Sequence, residues 1–125
     1  MSKPALDKFG ELLISKVRDG TIQHWMMIAD GRMKGERSLQ LRERLCTMTD
    51  HDGGIAMALV PEVVDSVLHN LLTMLEQAED LKIAIELGDQ TVVNLREVSD
   101  GLSGELYSDE GWIARFSQVD GKREI

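Results

Sequence analysis

The sequence predicts a mainly α domain of the α+β class. It is a compact set of helices around one central helix at about 61–77, with a small antiparallel β-hairpin at about 81–95 and short C-terminal helices. Three observations lead there. Apolar residues recur at steps of three and four through most of the first 77 positions, the pattern of helices with one buried face. The period then drops to two in "LKIAIEL" (81–87), which marks a strand. A chain of 125 residues with 42% hydrophobic and 29% charged content suits one folded core, so residues 1–125 are read as a single domain.

Helix by helix, the pattern is as follows. Residues 3–18 carry Leu6, Phe9, Leu13 and Val17 on one stripe, with Ser2 as a cap and Pro4 in the first turn. "RDGT" (18–21) is expected to end that helix, Gly20 supplying the break and Thr21 capping the next. The second helix shows Ile22, Trp25, Met26, Ala29 and Met33 on one side; Gly31 weakens its last turns and Gly35 stops it. A third, around 37–48, aligns Leu41, Leu45 and Met48. "TDHDGG" (49–54) reads as a polar turn with capping choices in Thr49, Asp50 and Asp52. Pro61 lacks an amide donor, so a kink or a fresh start is expected there.

From Pro61 to Gln77 the apolar residues cover nearly half the helical wheel, as in a central helix contacted by several others. Leu81, Ile83, Ile85 and Leu87 then alternate, "GDQ" makes the turn, and "TVVNL" returns, completing the hairpin. After the loop "REVSDG" come two short helices, about 101–107 and 109–117, with Ser108 capping the second; residues 118–125 lack a pattern and are expected to fray.

Composition narrows the function. Residues 1–62 carry nine basic and nine acidic side chains, whereas 63–125 carry five against thirteen, so the whole net charge of −8 lies in the second half. Phosphate repels such a surface, which argues against nucleic acid as a partner and for a basic protein. No run of eighteen apolar residues is present, so no membrane association is expected. The single cysteine, Cys46, is expected to be buried on its helix and, with no export signal, points to a reducing cytoplasm. The charge asymmetry also suits head-to-tail or antiparallel self-association. A structural homodimer, joined through Met27 or Trp112, is therefore one expectation.

Chemistry-bearing motifs are sparse. "DHDGG" fails as a calcium loop because its fifth position is Gly54 and its twelfth Pro61. "GLSGE" (101–105) has Glu105 where a nucleophile elbow needs glycine. There is no phosphate loop, dinucleotide fingerprint or zinc signature, and neither a cofactor nor a metal is called for. The candidate catalytic pair is His69 with Asp65, four apart on the polar strip Glu62–Asp65–His69–Thr73–Glu76. A carboxylate beside an imidazole orients the ring and favours its charged form, as a general base or a metal ligand requires. The same spacing is what a solvated helix face offers.

The other candidate lies near the C-terminus. Between Glu97 and Glu110 there are five acids and no base, and three of the five aromatics, Tyr107, Trp112 and Phe116, fall within ten residues. Asp100, Glu105, Tyr107, Asp109, Glu110 and Trp112 are therefore the candidate binding residues for a basic partner. The competing expectation is that Trp112, Ile113 and Phe116 clamp a terminal helix onto the core, with Asp109 and Glu110 at its N-terminus.

"PEVVDSVLHNLLTMLEQ" (61–77) and "SDGLSGELYSDEGWIARFS" (99–117) resemble segments of a group of small bacterial cytoplasmic proteins that share a glycine–acid–aromatic tail. The resemblance implies a bacterial origin and a compact domain, and transfers no activity. The functional expectation is a small acidic protein-binding module, an immunity- or antitoxin-like inhibitor of a basic protein being its most concrete form. A small hydrolase or metal-dependent enzyme at His69 and Asp65 is the alternative.

Overall fold

The structure is a computed structural model and describes residues 3–119. Ser2 and 120–125, with the cap and most of the fraying expected of them, lie outside the described residues. In order the elements are α1 (Lys3–Leu12), a π-helical segment (Leu13–Arg18), α2 (Asp19–Ala29), α3 (Glu36–Cys46) and α4 (Asp50–Gln77). There follow β1 (Ala84–Glu86), β2 (Val92–Asn94), α5 (Leu95–Val98), a 3₁₀ turn (Ser103–Leu106) and α6 (Trp112–Phe116). The mainly α class, the long central helix and the two-stranded antiparallel hairpin are all present.

The break expected at "RDGT" does not occur. Instead α1, the π segment and α2 run on without interruption, and Gly20 lies inside the helix. In a π turn the bond spans five residues, as from the Asp19 amide to Ile14 O, so the extra residue shifts the inward face of the next turn from Val17 to Arg18. Arg18 is accordingly wholly buried, while Val17, expected on the core stripe, is exposed. Helix α2 ends earlier than expected, at Gly31, which takes φ +78°. The Gly31 amide donates to Ile28 O (3.1 Å) and the Arg32 amide to Met27 O (2.9 Å), closing the last carbonyls as a Schellman motif. Gly35 does not stop α2 but precedes α3 as its N-cap.

Helix α4 begins inside the supposed polar turn. Thr49 Oγ1 accepts from the Asp52 amide at 3.0 Å, so one of the three candidate caps is used. The helix then runs through Pro61 unbroken. Proline deprives the Met57 carbonyl of its donor, and Pro61 itself is buried, so packing outweighs the missing bond. By length and composition alone α4 is apolar enough to cross a membrane. However, Asp65, near its middle, is buried in the domain against Arg18.

In the hairpin Ala84 pairs with Asn94, Ile85 with Val93 and Glu86 with Val92. The turn falls at 87–91, where Gln90, not Gly88, takes the positive φ. Ile83, Ile85, Leu87 and Val93 pack on the core, which joins α1, α4 and the C-terminal segment around Ile14, Leu68, Leu72, Leu95 and Trp112. Part of the loop expected at "REVSDG" is the single turn α5, with Asn94 Oδ1 accepting from the Arg96 amide at 3.1 Å. Arg96 Nη2 in turn donates to the carbonyls of Ala78 and Leu81, tying the hairpin to the end of α4.

Candidate functional site

The most elaborate polar constellation is buried, and only part of it follows from sequence. Arg18 Nε donates to Asp65 Oδ1 at 2.7 Å and Nη2 to Oδ2 at 3.4 Å, a forked pair between the π segment and α4. Arg18 Nη1 reaches Ser117 Oγ (3.1 Å) and Asp19 Oδ1 (3.4 Å). Ser117 Oγ donates to Asp19 Oδ1 (2.9 Å), and the Gln118 amide to Asp19 Oδ2 (2.8 Å). Residues 118 and 119, expected to fray, are thus tied down, and Val119 is buried. Every member of this knot is at least nine-tenths hidden apart from Gln118, so it is a structural clasp without access for a substrate.

Of the candidate catalytic pair, Asp65 is held by Arg18 and His69 meets Tyr107, Nδ1 to Oη at 3.1 Å with ring centroids 5.9 Å apart. Beyond the exposed Glu62, the polar strip of α4 is therefore not a solvated face. Asp65 is buried, His69, Thr73 and Glu76 are half-buried, and Glu76 Oε1 accepts from the Leu102 amide at 2.7 Å. Together these bonds lash the C-terminal segment to α4. Among the described residues, no group of three or more His, Cys, Asp or Glu side chains converges as a metal site would require.

Trp112 belongs to the core, and this corrects its place among the candidate binding residues. Its side chain is wholly buried, edge-on to Phe9 at 5.7 Å, and its indole lies so close to Gly10 that a Cβ there would stand 2.5 Å from three ring atoms. Gly111 is needed for the same docking, since a Cβ on it would lie 2.0 Å from Tyr107 O. Helix α6 begins only at Trp112, so Ser108 (φ 75°) caps a turn before the helix, not the helix. Asp100, Asp109 and Glu110 are exposed, Tyr107 and Glu105 half-buried. Glu105 is already engaged, accepting from Ser99 Oγ at 2.8 Å. The acids lie along one connection, Asp100 before the 3₁₀ turn, Glu105 in it and Asp109 and Glu110 after it, but their aromatic anchor is gone.

What sequence reasoning missed is an apolar surface. Val63 and Val67 are each 60% exposed and Leu59 54%, on the side of α4 away from its buried positions Pro61, Asp65, Leu68 and Leu72. Between α4 and the π–α2 rod runs an open groove of about 380 Å³, with Val17, Trp25, Leu59, Val63 and Val67 among its walls. Further along, not one side chain from Asp30 to Val60 is buried, although this stretch holds all of α3 and the first eleven residues of α4. Leu39, Met48 and Ile55 are exposed there, and so is Cys46, contrary to the expected burial. The clue in the sequence is the width of α4's apolar stripe, which exceeds what one small core can cover.

Comparison of the chain with protein-family models, with curated proteins and with solved structures finds no match in any of the three.

Proposed function

We propose that this chain is a protein-association module whose working surface is the outward face of α4 together with the helical arm formed by α3 and the start of α4. The observation that carries this reading is the stretch from Asp30 to Val60, all of α3 and the first eleven residues of α4 without a single buried side chain. Helices of this length gain most of their stability from packing an apolar face against something else. Contiguous apolar surface of this extent on a small domain marks an interaction site. A bacterial cytoplasmic setting, in keeping with the tail resemblance and the lone cysteine, belongs to the same proposal.

A photo-cross-linking amino acid in place of Val67, activated in cells, tests it. A discrete adduct supports the association reading, and its mass identifies the partner as a copy or as another protein. With no adduct at Val67 while the same probe at buried Leu72 links within the chain, the reading fails.

A second reading, an immunity- or antitoxin-like inhibitor of a basic protein, has in its favour the exposed acids Asp100, Asp109 and Glu110 on the connection between α5 and α6. Its contact surface would be that connection and the edge of Tyr107, without Trp112. Charge-reversing Asp109 and Glu110 separates the two readings, because it leaves the α4 face intact.

A further inference from the structure

We infer that the occupant of the α4 face is a second copy of this chain, packed antiparallel so that the two α4 helices cross at Val63 on a two-fold axis. The inference rests on the association reading and supplies its partner. Exposed apolar positions recur every four residues along α4, at Ile55, Leu59, Val63, Val67 and Leu71. A two-fold axis through the middle of that ridge sets Leu59 against Val67 of the other copy, with Ile55 and Leu71, each about 80° round the helix from Val63, at the flanks of the crossing. Such self-complementarity is what an isologous interface needs, and rows of i±4 side chains are the ridges that interlock between packed helices.

Area and charge point the same way. The half-exposed side chains of the ridge, with Val17 and Met74, offer on the order of 600 Å² per chain, which counted on both copies reaches the lower end of a standard specific interface. The crossing point traps no charge: Asp65 is buried against Arg18, and Glu62 lies about 100° round the helix from Val63. Residues 31–52, up to and including the first turn of α4, carry five basic against four acidic side chains, whereas 76–110 carry two against ten. Antiparallel packing brings the near-neutral stretch at the start of one α4 toward the acidic end of the other, beside Glu79 and Asp80, so that two acidic ends are not set against each other. A chain of net charge −8 would otherwise be repelled by its own copy.

Sedimentation equilibrium of the purified full chain, over a wide concentration range, is the first test. The expected mass is twice 14.0 kDa, and a mass of 14.0 kDa throughout overturns the inference. Register is tested with Val63→Cys in a Cys46→Ser background, because a residue on the axis meets its own counterpart within disulfide reach. Mild oxidation is expected to link most of the Val63→Cys chains in pairs, and few of a Ser15→Cys control in the same background. A dimeric mass without preferential linking at position 63 also overturns it. A one-copy mass leaves the association reading standing whenever the probe at Val67 traps a different protein, so the two failures are distinguishable.

Discussion

Arg18 grips Asp65 through a two-point contact, Nε to Oδ1 at 2.7 Å, and this pair fixes how α4 is rotated in the domain. With Asp65 facing the π segment, Val63 and Val67, two residues to either side, must face away. The outward apolar face is thus a consequence of the buried clasp: the π turn carries Arg18 inward, Arg18 takes Asp65, and the ridge is left outside.

Removing one half of the pair strands the other in the core, which typically costs about 3–5 kcal/mol. Arg18→Met and Asp65→Leu are each expected to lower the denaturant midpoint strongly. The double variant should recover part of the loss, since it leaves without a cation only Asp19, which Ser117 and the Gln118 amide still bond. Chemical unfolding of the three variants checks this, and equal additive losses would refute the clasp.

Gly10→Ala places a methyl group against the Trp112 ring and should destabilise by about 1–3 kcal/mol, the usual cost of overpacking. Because Gly20 has open space around its Cβ position, Gly20→Ala should instead be neutral or stabilising in this mid-helix position. Thermal melts of the two variants, moving in different directions, bear out the tryptophan contact and the unbroken rod together.

Tyr107→Phe deletes the hydroxyl that meets His69 Nδ1 and should cost about 1 kcal/mol, as for an ordinary side-chain hydrogen bond. If the pair served catalysis instead, the variant would keep its stability and lose an activity. Unfolding measurements on the variant decide between the two.

In the hairpin turn, the Thr91 amide and then the Thr91 side chain bond the Asp89 carboxylate and hold its pKa below the ordinary 3.8. A group depressed on folding contributes stability above its unfolded pKa and loses it as pH falls through the folded value. The turn should therefore loosen only below about pH 3.8. An NMR titration of Asp89 with a midpoint at or above 3.8 would contradict the bond.

Much of this architecture was legible in the sequence because local periods carry it. The change from helical to alternating spacing after Gln77 located the hairpin, and Thr49 was among the capping choices, although the helix it caps was expected only from Pro61. The failures share one physical cause, tertiary packing overriding local signals. Gly20 and Pro61 are breakers by propensity, yet both sit within continuous helix. Arg18 has the look of a basic residue closing a helix, and only a five-residue bond step, invisible to a 3.6-residue pattern, turns it inward. The candidate site was half legible. His69 and Tyr107 do meet, but Asp65 faces Arg18, and Trp112 is sealed between Gly10 and Phe9. The α4 ridge was read as core because periodicity reports which residues share a face, not whether anything covers it.

The most direct measurement of the central claim is the solution mass of Val63→Lys beside that of the unaltered chain. Lysine is a good helix former and position 63 is 60% exposed, so the fold should survive, with an unchanged helical circular-dichroism spectrum. At the two-fold axis, however, two ammonium groups would be forced together. The predicted result is a fall from twice 14.0 kDa to 14.0 kDa with helicity retained. An unaltered dimeric mass in the lysine variant would contradict the account.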